Sequence, residues 1–107
     1  MDRFTLESLA AIIDDRANAT ASASYTTSLL EAGIERSTKK FGEEAVELVI
    51  AALSDDRTAI RAEAADVLYH LLVVLKASGV TIGDVLEELN RRTGQSGLEE
   101  KASRPSK

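Results

Sequence analysis

Two long apolar segments joined by four polar residues constrain the fold of this chain more than any other feature. From Ile34 to about Leu53, the residues Ile34, Phe41, Ala45, Leu48 and Ala52 recur at helical spacing, and Val46, Ile50 and Leu53 form a second stripe beside them. From about Thr58 to Ser78, the residues Ile60, Ala64, Val67, Leu71 and Val74 keep the same rhythm, with Leu68, Leu72 and Leu75 alongside. This is the period of amphipathic helices, and no stretch of the chain alternates as a half-buried strand would. The connection, "SDDR", is so short that the two helices must lie antiparallel. With the turn centred near Asp55, residues equally distant from it along the two helices share a height. The expectation is an all-α fold, a helical bundle of about four to five helices.

The remaining segments supply shorter helices. About Thr5 to Ala17 places Leu6, Leu9, Ile13 and Ala17 on one stripe, with Thr5 as an N-cap. "NATASASY" interrupts the pattern, and "TTSLLEA" forms a short helix that stops at Gly33, where glycine takes a left-handed cap easily. Gly79 ends the second long helix. A last helix starts at Thr81, with Asp84 three residues on as a short capping-box partner, and runs to about Thr93. After Gly94, "QSGLEEKASRPSK" has almost no apolar content, which predicts a mobile tail unless a ligand or partner orders it. A chain of 107 residues is the size of one domain, here residues 1–94 followed by a tail over 95–107.

Composition removes several kinds of chemistry. The absence of cysteine excludes disulfides, thiolate zinc sites, iron–sulfur clusters and a cysteine nucleophile, and one histidine, His70, excludes multi-histidine metal sites within one chain. A net charge of −5 argues against a nucleic-acid surface held by electrostatics. The start "MDRFTLESLAAIIDD" lacks the features of a signal peptide, and no stretch is long and apolar enough to span a bilayer, so a cytoplasmic protein with no membrane partner is expected. Val67, Leu68, Leu71, Leu72, Val74 and Leu75 leave the second long helix almost no solvent face. A homodimer or higher oligomer, two-fold and with helices of both chains in one bundle, is therefore expected.

Against this apolar background the acids stand out. Glu44 and Glu47 lie three apart on one long helix, Glu63 and Asp66 three apart on the other, so each pair shares a face. The antiparallel register sets Glu44 opposite Asp66 and Glu47 opposite Glu63. Four carboxylates so placed would repel and raise one another's pKa values unless a positive charge sat among them. A hard divalent cation, Mg²⁺ or Mn²⁺, suits carboxylate oxygens and keeps positions open for water and phosphate. The competing reading is a solvated acidic face, because glutamates on helices are usually exposed. Glu43 is a further ligand or base, or an exposed neighbour. His70, one turn beyond Asp66 and level with Lys40, is more often a packed or hydrogen-bonded residue than a ligand.

Four segments, "SYTTSLLEAG", "KKFGEEAVELVIAAL", "EAADVLYHLLVVL" and "SGLEEKASR", together resemble the phosphoribosyl-ATP pyrophosphatase family of histidine biosynthesis, within the all-α nucleotide pyrophosphatases related to MazG. The match runs from about Ser24 to Arg104. E-x-x-E followed by E-x-x-D marks the wider superfamily, while "YHLLVVL" and the tail point to this branch. The resemblance implies Mg²⁺-dependent hydrolysis of phosphoribosyl-ATP to phosphoribosyl-AMP and pyrophosphate by metal-activated water, the second step of the pathway. It puts Glu44, Glu47, Glu63 and Asp66 at the metal-binding and catalytic positions. No cysteine and histidine ligands of a fused cyclohydrolase are present, which implies the free-standing form. Ser37 departs from the pattern, since relatives often carry an aliphatic residue there, and this bears on packing rather than chemistry.

Phosphate groups would need cations where the metal does not reach. Arg36, Lys39, Lys40, Arg91 and Arg92 are the nearest candidates, and Lys101 and Arg104 of the tail would fold over the substrate. For Arg91 and Arg92, near a helix C-terminus, complementarity with the helix dipole is a sufficient alternative. Rival functions are a house-cleaning nucleoside triphosphate pyrophosphatase and a non-enzymatic helical dimerisation module. A di-iron bundle ranks below both, because it would show Glu-x-x-His where this chain has Glu-x-x-Asp.

Overall fold

The computed structural model describes residues 3–18 and 24–94. These form five helices and no strand: α1 (Leu6–Ala17), α2 (Tyr25–Ala32), α3 (Ile34–Leu53), α4 (Arg57–Ser78) and α5 (Ile82–Thr93). The all-α expectation holds, and the helix ends fall where the capping residues place them. Thr5 Oγ1 accepts from the Ser8 N–H while Ser8 Oγ accepts from the Thr5 N–H, a reciprocal capping box at the start of α1. Ser24, Asp56 and Thr81 cap α2, α4 and α5 by accepting from the backbone N–H groups of Thr27, Ala59 and Asp84. Thr81 thus caps as the sequence suggests, but the reciprocal box stands at Thr5 and Ser8 instead.

The hairpin turn is Ser54–Asp55–Asp56, with Asp55 at φ 55°. Aspartate is one of the few side chains that tolerates this left-handed conformation. Gly79, at φ 74°, ends α4, and the Val80 N–H returns to the Leu75 carbonyl at 3.0 Å. A Cβ there would strain the turn that sends the chain into α5.

α3 and α4 lie against each other as the central antiparallel pair, and α1 and α2 cover one end of it. The core is Ile13, Leu29, Leu72 and Val73, with Leu9, Ala10, Leu30, Tyr69, Leu71 and Ile82 packed around them. Full burial of each such aliphatic side chain stabilises by about 1.5–3 kcal/mol. Three buried hydroxyl residues tie α2 to its neighbours: Thr27 Oγ1 donates to the Arg16 carbonyl, Thr26 bonds to the Tyr69 hydroxyl, and Ser37 Oγ donates to the Leu29 carbonyl at 3.2 Å. Ser37 is 1% exposed. Its departure from an aliphatic residue is therefore compensated by a buried hydrogen bond between α3 and α2. Ser37→Ala is expected to lower stability by about 1 kcal/mol, read as a fall in the urea midpoint with an unchanged slope.

One sequence expectation shifts here. α4 is packed by α1, α2 and α3, so Leu72 is buried, Val67, Leu71, Val74 and Leu75 are half-buried, and only Leu68 of that set is exposed. Among the described residues, α3 packs chiefly against α4 and α2. The larger apolar excess lies on its outer face, where Val46, Val49, Ile50 and Leu53 recur at i, i+3, i+4 and i+7 and Leu53 is 83% exposed. Among the described residues, no single helix is long and apolar enough to cross a membrane.

Candidate metal centre

The hairpin delivers the register that its turn implies. Glu44 from α3 and Glu63 and Asp66 from α4 each offer a carboxylate oxygen, and these atoms lie within 4.8 Å of one another. Glu44 is 7% exposed, Glu63 is half-buried and Asp66 is exposed, so the group opens to solvent on one side. Glu47 is exposed and stands outside this group of three, near enough to Glu63 for its charge to oppose the ionisation of Glu63. Burial first, then the charges of Glu47, Asp66 and Glu44, holds the Glu63 carboxyl above its ordinary value of 4.5. Glu63 Oε2 is buried with no hydrogen-bond partner. An ionisable group that is crowded by acids and has an orphaned oxygen is costly unless a cation completes it. The donor set, all carboxylate oxygen, suits a hard cation such as Mg²⁺ or Mn²⁺ better than a soft metal.

His70 stands beside this centre without joining it. Its Nδ1–H donates to the Asp66 carbonyl at 2.8 Å, which leaves Nε2 to accept from the Tyr25 hydroxyl at 3.3 Å. The ring is buried and lies edge-on to Tyr25 and Tyr69. This is the packed, hydrogen-bonded histidine expected from the sequence, and it fixes the position of Tyr25.

Next to the acids lies a group of cations. Tyr25, Arg36, Lys39, Lys40 and Glu43 line a cavity of about 290 Å³. Lys40 joins it to the carboxylate group: its Nζ sits 3.2 Å from Glu44 Oε1 and 4.0 Å from Glu43 Oε1. The hydrogen bond that Lys40 donates to Glu44 raises the Lys40 pKa above its ordinary 10.5, so the ammonium stays charged. Glu43 is thus a rim residue paired with Lys40.

Not every candidate cation gathers here. Arg91 and Arg92 lie on α5, which packs on α1, and both bond to Glu88, at 2.6 Å from Arg91 Nη2 and 2.8 Å from Arg92 Nε. The two arginines, Arg91 first, pull the Glu88 carboxyl down to about 2. That pairing contributes stability above pH 4.5 and loses it as pH falls towards 2. Within one chain Arg91 does not line the cavity of Lys40. Lys101 and Arg104 lie outside the described residues. Tyr25, the first residue of α2, lines this cavity although the sequence marks it only as an aromatic after the capping Ser24 in "SYTT".

An all-helical chain whose central hairpin concentrates carboxylates beside a cationic cavity has the architecture of the all-α nucleotide pyrophosphatases. More narrowly, the chain belongs to the phosphoribosyl-ATP pyrophosphohydrolase family, whose model matches residues 6–93. It is 55% identical over 106 residues to a phosphoribosyl-ATP pyrophosphatase of Agrobacterium fabrum, covering 99% of both chains. It is also 57% identical over 104 residues to phosphoribosyl-ATP pyrophosphatase 1 of Bradyrhizobium diazoefficiens, covering 97% of this chain and 98% of that one. To phosphoribosyl-ATP pyrophosphatase 1 of Rhodopseudomonas palustris it is 56% identical, with 97% of each chain covered.

Proposed function

We propose that this chain hydrolyses phosphoribosyl-ATP to phosphoribosyl-AMP and pyrophosphate, with Glu44, Glu47, Glu63 and Asp66 holding Mg²⁺, or Mn²⁺ in its place. The observation that carries the metal reading is the buried, unpartnered Oε2 of Glu63 within a group of three carboxylates. The substrate reading rests on the family and on the names of relatives aligned over nearly the whole chain.

When bound, such an ion supplies positive charge against the triphosphate and lowers the pKa of coordinated water. The chain's own groups do the rest. Glu47 and Asp66, the exposed members of the set, are open to solvent and can orient the attacking water or take its proton. Arg36, Lys39 and Lys40 meet phosphate oxygens from the adjoining cavity. Arg91, and Lys101 and Arg104 of the tail over 95–107, add cations when the substrate is enclosed over the domain of residues 1–94. Hydrolysis needs no covalent intermediate. The setting is the cytoplasm, where soluble nucleotides are met. The working form is a two-fold homodimer or a higher oligomer closed over the apolar face of α3.

Pyrophosphate release from a panel of nucleotides tests this. Phosphoribosyl-ATP should be turned over much faster than ATP, dATP, dCTP or dUTP, and only with a divalent cation present. Equal turnover of any of those four would favour a general nucleotide pyrophosphatase. No turnover of any would favour a dimerisation module.

A further inference from the structure

Lys40 stands on the boundary between two regions of opposite charge. Its Nζ is paired with Glu44, a member of the carboxylate group, at 3.2 Å. Its side chain also lines the cavity shared with Arg36, Lys39 and Tyr25. Glu44 is the most buried of the acids, and Lys40 is the cation that now neutralises it. A divalent ion bound through Glu44 takes the same oxygen charge, and two cations competing for one carboxylate cannot both hold it at full strength. The Lys40 ammonium then has Glu43 at 4.0 Å as its remaining acid, and on its other side the cavity that Arg36 and Lys39 make attractive to anions.

Resting on the metal reading above, we infer that Lys40 is a metal-released phosphate ligand: it neutralises Glu44 in the metal-free protein and is freed towards the phosphate cavity when a divalent cation takes Glu44. Two consequences follow from this exchange. Lys40 weakens cation binding in the absence of an anion. It also strengthens the coupling between cation and phosphate binding beyond what their direct attraction gives, and by linkage the coupling is equal in both directions. Without Lys40, an open carboxylate group would couple its cation to substrate only through the direct attraction between cation and phosphate. Here the cation is held most tightly when a phosphate is present to accept the released lysine.

The test uses Mn²⁺ and inorganic phosphate as probes on the full-length protein, read by titration calorimetry and by the electron paramagnetic resonance of free Mn²⁺. Lys40→Gln should bind Mn²⁺ alone about threefold or more tighter than the wild type, on the scale of a partly exposed ion pair. Its phosphate affinity in saturating Mn²⁺ should fall, and the cation–phosphate coupling should shrink. Lys39→Gln removes the same charge one residue away without touching Glu44, so its Mn²⁺ affinity should move much less. Lys40→Arg, which keeps the pair, should retain wild-type Mn²⁺ affinity and serves also if the Gln variant folds poorly. Unchanged Mn²⁺ affinity and coupling in Lys40→Gln would overturn the inference while leaving the metal reading intact. Equal tightening in Lys39→Gln would also overturn it, since the effect would then be general field and not exchange. A wild-type protein that binds no Mn²⁺ removes the metal reading and this inference with it.

Discussion

Glu63→Gln is expected to lower turnover of phosphoribosyl-ATP by at least about 100-fold, because even outer-shell partners of a metal typically cost about 10–100-fold and Glu63 is a proposed ligand. The amide keeps the shape of the side chain and loses the charge, so helicity and oligomeric state should stay as they are. The same change should make the metal-free protein more stable at neutral pH. Glu63 has its carboxyl raised above 4.5 by burial and by Glu47, Asp66 and Glu44. A raised folded-state pKa means that the folded protein holds the proton more tightly than the unfolded chain. The contribution of Glu63 to stability is therefore full below 4.5 and is lost as pH rises through its folded pKa. Above that pKa the ionised carboxylate opposes folding, and Gln has no such penalty. The stability gain of the variant should be largest there and vanish towards acid.

Metal reverses the order. A divalent cation binds the native state and stabilises it by mass action, so the wild type should rise in melting temperature with added Mg²⁺ and the variant should barely move. Proton and cation also compete for Glu63, so on acidification its raised pKa should make affinity for Mg²⁺ fall sooner than an unperturbed carboxylate would. Glu43→Gln is the control, since Glu43 touches Lys40 on the rim and is not in the carboxylate group. Thermal melts with and without Mg²⁺, alongside turnover, decide between a metal centre and a solvated acidic face. Normal activity and normal metal response in Glu63→Gln would mean that the acids are not the site.

The acidic centre was legible because it depends on two things that sequence states directly. Helical spacing puts Glu44 and Glu47, and Glu63 and Asp66, on single faces, and a short turn at Asp55 sets the register between them. The pairing of Lys40 with Glu44 was equally open to reading, as an i,i+4 contact. The accessibility of the apolar faces was not. Both long helices are apolar on more than one side, and which side is covered depends on where α1 and α2 dock, a tertiary fact with no local signal. The sequence pointed to α4 as the exposed helix, whereas α1, α2 and α3 pack on it and leave the outer face of α3 open. Ser37 and Tyr25 show the same limit, since the carbonyl that Ser37 meets and the histidine that Tyr25 meets come from other helices.

Ile50→Asp should convert the assembled protein to monomers. In a single chain Ile50 is 58% exposed, and with Val46, Val49 and Leu53 it forms an apolar stripe along α3 that one bundle of this size leaves uncovered. Ile50 also borders a cavity shared with Glu47 and Glu63, so a second copy docked on the stripe would wall the metal centre on its open side. A hot-spot residue costs about 2 kcal/mol or more when lost. Two-fold symmetry presents Ile50 twice, so the expected weakening is about 4 kcal/mol, roughly 1000-fold in the dissociation constant. Because the side chain is already largely exposed in the protomer, its replacement should leave the helical content of each chain unchanged, which separates loss of assembly from loss of fold. Leu89→Asp, at another exposed leucine on α5, should leave assembly intact. Sedimentation velocity at micromolar concentration reads both variants: a wild type that is already monomeric would refute the assembly itself, and an Ile50→Asp protein that stays associated would place the interface on another face.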